Sequence, residues 1–297
     1  MPHPLVSISM ITYGHENFIR QAIEGVLMQK CNFTFELIIS NDHSDDNTDK
    51  IIKEYLIKNT NIKYFYQTKN LGVIPNFLFT LNQAQGKYIA ICEGDDYWTD
   101  PLKLQKQVDF IDKNPNFSIV FHQIQVMENK ILTDEIYPPL KKIKDVSSIE
   151  DLSQYNYIPT LSVLFRNPYV YPDYFIKSYI GDYPLHLYNA EKGKIKCIPE
   201  VMGVYRKGVG IWSTKADLNR DKKMFQSLQV ISHYYKNNPV IFKNLYLQQK
   251  YYLYTYLVKS VKNGKSMISV LSKDEIFKNI SFRYKLFFFI KFLLKKR

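Results

Sequence analysis

With 297 residues, 45% of them hydrophobic, the chain has ample material for a buried core and is too apolar to be disordered. Three cysteines, Cys31, Cys92 and Cys197, are odd in number and widely spaced, which supports neither a disulfide framework nor a CxxC metal site and suits a reducing compartment. The net charge of +12 is unevenly spread, because residues 220–297 hold 17 Lys and Arg against 3 Asp and Glu, leaving 23 against 25 in the first 219.

That asymmetry predicts a near-neutral front and a back that seeks a negatively charged surface. The opening "MPHPLVSISM" has no basic segment followed by an apolar one, and no stretch reaches the ~18 apolar residues of a membrane span. A cytoplasmic protein is expected, peripheral at the inner face of the membrane.

In chain order, "LVSISMIT" (5–12) reads as a buried strand and "NFIRQAIEGVLMQ" as a helix with apolar pairs at helical spacing. "TFELIIS" (34–40) is the next strand, the loop "NDHSDDNT" leads into a second helix, and "IKYFYQ" (62–67) is a third strand. Pro75 and Gly86 bracket a short helix ahead of the strand "KYIAIC". This alternation predicts an α/β fold with a mostly parallel sheet. Asp100 and Pro101 fit the N-cap and first position of a further helix, and "FSIVFHQIQV" (117–126) is again a strand.

Residues 127–160 mix charges, prolines and short apolar pieces and read as a long, partly ordered excursion. Strand character returns at 160–166 and 195–200, on either side of a short helix in "GDYPLHLYNAEKGK". From Asp217 the pattern is helical, with Leu247, Tyr251, Tyr254, Val258 and Val261 forming a predicted core stripe. The domain expectation is therefore 1–215 for the α/β part and 216–297 for a basic helical extension.

The chemistry concentrates in "CEGDDYWTDP" (92–101), where Glu93, Asp95, Asp96 and Asp100 crowd together beyond the end of a strand. Clustered carboxylates repel, and burying them is costly unless they are paired, hydrogen-bonded or bound to a cation. The end of a parallel strand is also where open α/β sheets bind ligands. Helix capping explains Asp100 and leaves the other three without a partner. Mg²⁺ or Mn²⁺ would supply one, since both prefer hard oxygen ligands.

"SISMITYGHENFIRQAIEGVLMQ", "FELIISNDHSDDNT", "NLG", "GKYIAICEGDDYW", "GDYPLHLYNAEKGKI" and "GVYRKGVGIWS" resemble, in that order, the successive motifs of the family 2 inverting glycosyltransferases. The resemblance spans roughly 5–215 and implies the GT-A fold, a Rossmann-like mixed sheet flanked by helices. It implies a nucleotide-sugar site in which Glu93 and Asp95 hold Mn²⁺ or Mg²⁺ and Asp96 lies beside them, with Glu93 standing where the family usually has Asp. Asp42 matches the residue that meets the pyrimidine base of UDP; Asn41 and His43 replace the Asp and Gly common on either side of it. Thr12, Tyr13 and Asn17 match the loop beside the base, and Asp182 matches the catalytic base. Arg206, Lys207 and Trp212 match the loop that folds over the diphosphate, which here carries no His. His15 and His43 read as solvated loop residues.

The final "SFRYKLFFFIKFLLKKR" combines aromatic residues with Arg283, Lys285, Lys291, Lys295, Lys296 and Arg297 and fits an anionic lipid surface. A core helix with a basic end is the alternative, and no nucleic-acid motif is present. The expected activity is transfer of a sugar from a UDP-sugar to a glycan or lipid-linked acceptor. The rival is a catalytically silent nucleotide-binding or partner-anchoring protein. A nucleotidyltransferase would want a Gly-rich phosphate loop, which "TYGHENF" lacks.

Overall fold

The computed structural model describes residues 3–210, 218–273 and 285–286, and the chain divides into two compact units. The first comprises Met1–Ile176 and Gly181–Thr214; the second comprises Lys177–Ile180 and Lys215–Arg297.

In the first unit β1 (Val6–Thr12), α1 (Ile19–Leu27), β2 (Phe35–Asn41), α2 (Thr48–Leu56), β3 (Ile62–Tyr66), α3 (Val73–Gln83) and β4 (Tyr88–Ile91) alternate as predicted. There follow β5 (Tyr97–Trp98), α4 (Lys103–Lys113), β6 (Phe117–Glu128), β7 (Ile131–Tyr137), β8 (Val146–Ser147), α5 (Ile149–Leu152), β9 (Leu164–Arg166), α6 (Asp182–Ala190) and β10 (Lys194–Lys207). The sheet runs β3-β2-β1-β4-β9-β6-β10-β5, with β7 beside β6 and β8 beside β10. The pairs within β3-β2-β1-β4 and the β6/β10 pair are parallel, whereas β9, β5, β7 and β8 pair antiparallel.

Strand β1 is buried on both faces, which is why it reads as a continuous run. Val6, Ile8 and Met10 join the main core with Ile19, Ala22, Ile23 and Val26 of α1. The opposite face carries small polar side chains that are all satisfied. Ser7 Oγ donates to Glu36 (2.6 Å), Ser9 and Thr80 hydroxyls share a proton (2.6 Å), and Ser40 Oγ donates to Asn76 of α3 (2.5 Å). Buried polar groups paired in this way fix register without a desolvation penalty.

Strand β5 anchors the acidic loop to this core. Trp98 is buried and donates Nε1–H to the Leu161 carbonyl (2.8 Å), while Lys103 Nζ lies 3.7 Å from its ring centroid. Burial pushes the Lys103 ammonium down to about 7. On the other side Gly25 of α1 abuts Trp98 so closely that a Cβ there would lie 2.9 Å from its backbone N and O.

Four expectations change. Residues 127–160 are ordered as the β6–β7 hairpin, β8 and α5, with the α5 N-terminus closed by a Ser148–Asp151 capping box. Helix α4 begins at Lys103, after a turn in which Asp100 accepts from Leu102 N–H and pairs with Lys106. Residues 160–166 form a 3₁₀ turn and the short antiparallel β9. In the second unit, which holds α7 (Leu218–Tyr234), α8 (Pro239–Lys262) and α9 (Met267–Lys273), Tyr254 of the predicted stripe is buried and Val258 and Val261 pack against the core, but its first two members turn outward. Leu247 and Tyr251 are 52% and 62% exposed, and the buried face carries Ile241, Leu245, Gln249, Leu253 and Leu257. Gln249 explains the miss: it is polar, yet buried, and donates to the Leu228 carbonyl and Ser232 Oγ.

No helix among the described residues is long and apolar enough to cross a membrane. Of the basic tail, only Lys285 and Leu286 lie within the described residues.

The contact at Gly25 fixes the sign of one substitution. Gly to Ala inside a helix ordinarily stabilises by about 1 kcal/mol. Here the new methyl meets backbone atoms that no side-chain rotation can move, and overpacking of that kind costs ~1–3 kcal/mol. Gly25→Ala is expected to lower the urea midpoint of unfolding instead of raising it.

Candidate active site

The loop that follows β4 is built against the ends of β1 and β10. Gly94 N–H donates to the Ile11 carbonyl (3.0 Å), so the loop backs onto Thr12; a Cβ on Gly94 would lie 2.7 Å from Thr12 Oγ1 and 3.0 Å from His15 Nδ1. Asp96 N–H closes a tight turn onto the Glu93 carbonyl (3.2 Å). The Asp96 carboxylate is buried and accepts from the Arg206 backbone N–H (2.8 Å). Past β10 the chain turns at Gly208, where φ is +87°, and Gly210 returns against Asp95, where a Cβ would lie 2.7 Å from Oδ2 and the carboxylate would have to shift.

Arg206 is 6% exposed and points inward. Its guanidinium donates to the Asp95 carbonyl and to Gln21 Oε1, and its Cζ lies 4.5 Å from the Tyr97 ring centroid and 5.2 Å from that of Phe18. Its charge therefore offsets this chain's own carboxylates from below, whereas the sequence suggests a cation facing the diphosphate. Lys207 is exposed and pairs with Glu128 (3.3 Å). Trp212 lies outside the described residues.

The electrostatics locate Asp182. It is the first residue of α6, after Gly181 at the N-cap. Its Oδ2 accepts from Asn156 Nδ2 (2.8 Å). Burial, then the charges of Asp95 and Asp182, push the Glu93 carboxyl up to about 8. Asp182 thus acts on the acidic loop although the two are far apart in sequence. Asp96 is also pushed up, by burial first and then by Asp95 and Glu93, with Arg206 opposing. Of the other nearby carboxylates in the sequence, Asp173 and Glu191 are exposed.

On the β1–β2 side, Asp42 is buried, and its two oxygens accept from Leu71 N–H (2.7 Å) and Gly72 N–H (2.9 Å), tying down the "NLG" loop. Each oxygen keeps a further lone pair. Thr12 is buried, with Oγ1 3.1 Å from His15 Nδ1, while Tyr13 and Asn17 are exposed in the adjoining loop. Asp46 accepts from Glu16 N–H and Thr48 N–H and is structural.

His15 corrects the expectation of a solvated residue. It is partly buried against Gly94, and burial holds its imidazole below the usual range despite opposing pulls from Asp95 and Asp46. His43 adopts φ 64°, the left-handed conformation for which Gly is usual, and contacts the Gln67 carbonyl through Nδ1 (3.0 Å). The contributions of His15, Gly210 and Asn156 escape a sequence reading. Only the glycine carries a local signal, as one of two in "KGVGIW".

With this geometry in place, comparison with known proteins defines the class. The model of "Glycosyl transferase family 2" matches residues 7–169, and the chain belongs to that family. An uncharacterized protein of Mycobacterium tuberculosis (strain ATCC 25618 / H37Rv) is 40% identical over 209 residues, 70% of this chain and 60% of that protein. The match thus spans about 60% of that relative's length. A putative teichuronic acid biosynthesis glycosyltransferase, TuaG of Bacillus subtilis (strain 168), is 30% identical over 137 residues, covering 46% of this chain and 54% of that one. Among solved structures, S. aureus TarS 1–349 in complex with UDP has a TM-score of 0.62 at 16% identity, covering 89% of this chain and 76% of the other. The architecture is accordingly the GT-A fold, with helices following it.

The raised Glu93 gives a testable pH dependence. A carboxyl held near 8 in the folded protein and near 4.5 when unfolded keeps its proton longer when folded, so its contribution to stability falls as pH rises between those values. Glu93→Gln is expected to flatten this slope, making the metal-free variant more stable than wild type at pH 8 and little different at pH 4.5. Thermal melts across that range in a chelator check it.

Proposed function

We propose that the chain is an inverting glycosyltransferase that moves a sugar from a UDP-sugar to a hydroxyl of a glycan or lipid-linked acceptor. The observation that carries this reading is the acidic loop beyond β4, where Glu93, Asp95 and the buried Asp96 are held by the Gly94 N–H on Ile11 and the Arg206 N–H on Asp96, in a chain that belongs to this family. The push of Asp182 on Glu93 supports a candidate base beside a candidate donor-phosphate site. Perturbed carboxylates gathered in this way are a mark of functional sites.

Mn²⁺ or Mg²⁺ suits the loop. Glu93 and Asp95 offer hard oxygens, and the Glu93 carboxylate takes no hydrogen bond from the described residues. No group of three His, Cys, Asp or Glu among the described residues is arranged to hold a metal. Glu93 and Asp95 would be the residues to hold the cation, together with the donor's diphosphate. When bound, the cation supplies stabilisation of the charge that develops on the diphosphate.

The chain's own residues do the rest. Asp182 takes the proton of the acceptor hydroxyl as its oxygen bonds to the anomeric carbon and the bond from that carbon to the diphosphate breaks. One displacement inverts the configuration and needs no enzyme nucleophile. Asp42 accepts from the uracil N–H through a lone pair not used by the "NLG" loop, while Thr12, Tyr13 and Asn17 border the base. Asp96 and Arg206 hold the loop in shape. Lys207 leaves Glu128 for the diphosphate, since an exposed ion pair is worth only ~0–1 kcal/mol.

Solved structures with this fold include TarS with UDP or UDP-GlcNAc, and a mannosyltransferase of Pyrobaculum calidifontis with GDP-Man and Mn²⁺. A donor panel should therefore span both bases. Release of nucleoside diphosphate with Mn²⁺ present is expected from a UDP-sugar and not from GDP-Man. Asp182→Asn is expected to leave donor binding intact and lower kcat by ~10² to 10⁴. A folded variant with wild-type turnover would reject the base assignment.

We further propose that residues 216–297 form a helical extension that seats the enzyme on anionic membrane at the cytoplasmic face. Deleting residues 283–297 is expected to weaken binding to anionic vesicles and to lessen its sensitivity to salt, while transfer to a short soluble acceptor persists. Unchanged vesicle binding in a sedimentation assay would assign the tail to the core instead.

A further inference from the structure

We propose that Asn156 is the positioning residue for the catalytic base, fixing the Asp182 carboxylate through one oxygen and leaving the other for the acceptor hydroxyl. This rests on the assignment of Asp182 as base.

Asn156 Nδ2 donates to Asp182 Oδ2 at 2.8 Å. A carboxylate only accepts, so this bond fixes which end of the amide faces Asp182. The amide Oδ1 then faces Ile158 N–H and His186 Nδ1, each at 3.4 Å, long contacts that steer the amide more than they bind it. Because Oδ1 only accepts, His186 donates to it only in the tautomer with the proton on Nδ1 and a lone pair on Nε2. That nitrogen is buried with no hydrogen-bond partner among the described residues. Burial pushes the imidazole down to about 4, with the charge of Asp182 opposing, so His186 is neutral and serves Asn156 as a donor.

The backbone around Asn156 is clamped by three tyrosines. Tyr155 OH donates to the Lys142 carbonyl (2.8 Å), Tyr137 OH to the Asn156 carbonyl (3.1 Å), and Tyr157 OH shares a proton with Ser147 Oγ (2.6 Å). Asn156 therefore presents its amide from a rigid frame, which is what holding a reacting group within a fraction of an ångström requires. Asp182 Oδ1 takes no hydrogen bond from the described residues. The charge of Asp182 acts on Glu93, from the loop after β4, and on His186, on its own helix.

The test measures kcat, donor KM and the kcat–pH profile for wild type, Asp182→Asn, Asn156→Ala and Asn156→Asp, as release of UDP from the donor found in the panel. Asn156→Ala is expected to lower kcat roughly tenfold or more, a share of the ~10²–10⁴ of an acid–base group. Donor KM should hold within about twofold, and the acidic limb of the profile should move to higher pH, because a carboxylate without its donor protonates more readily. Asn156→Asp, of the same size, sets a second carboxylate against Asp182 and should move that limb further, so that activity lost at neutral pH returns in alkali. Wild-type kcat and limb in the folded Asn156 variants, with Asp182→Asn inactive, would overturn the positioning role and leave the base in place. Wild-type turnover by Asp182→Asn would overturn both. Should Asn156→Ala not fold, the isosteric Asn156→Asp carries the test, and an unmoved limb in that variant overturns the proposal.

Discussion

The buried guanidinium of Arg206, beside Asp96 and Asp95, is the interaction on which this centre depends. Its backbone N–H and its side chain both engage the acidic loop, one at Asp96 and the other at the Asp95 carbonyl. Burying a cation there has its own penalty, and desolvation does hold Arg206 below its usual range, with Asp96, Tyr97 and Asp95 opposing. The relief it gives is unequal. Arg206 counters the upward push on Asp96, whereas burial, Asp95 and Asp182 govern Glu93. Asp96 is thus bound into the fold, and Glu93 is the carboxyl that Arg206 does not relieve.

Around that core of charge the chain approaches itself closely at three glycines. Gly25 admits the backbone of Trp98, Gly94 admits Thr12 and His15, and Gly210 admits the Asp95 carboxylate. Each brings an element that is remote in sequence into contact with the acidic loop or the strand that follows it. The loop is consequently held from α1, from the end of β1 and from the turn after β10 before any ligand arrives. Fixing a site in this way pays in folding for order that binding would otherwise have to create.

The first half of the fold is legible because β1, β2 and β4 are buried on both faces and α1 alternates at helical spacing, so hydrophobic pattern and structure coincide. Strand β7 is not legible: its sequence "ILTDEIY" is almost wholly exposed, so no face of it carries a burial signal. Two register shifts in β10, between Ile198 and Val201 and between Val201 and Val204, break the two-residue alternation that would assign Arg206 to the inner side. Asn156 is illegible for a different reason. Its partner lies 26 residues away, and a single Asn among tyrosines has no spacing signature. The family motifs expose Asp182 and the acidic loop, but the groups that orient them are fixed only by tertiary packing.

The departures from the family pattern at Asn41 and His43 are answered locally, and the answer is one of proton count. Tyr64 OH donates to Asp49 Oδ1 (2.7 Å), which leaves it able only to accept from its other side. Asn41 Nδ2 supplies that donor at 3.2 Å, while Asn41 Oδ1 accepts from both the backbone N–H and the hydroxyl of Ser44. An Asp at position 41 would satisfy Ser44 but would set an acceptor against the Tyr64 oxygen, whose only proton is already committed. At position 43 the imidazole compensates for the strain of φ 64° by its contact with the Gln67 carbonyl and by packing against Tyr66, their ring centroids 5.4 Å apart. Asp42 lies between these two anchors, with its own N–H on the Thr12 carbonyl (2.9 Å) and its carboxylate on the "NLG" loop. The residues on either side differ from the common pattern, yet the hydrogen bonds they make hold Asp42 in a single orientation.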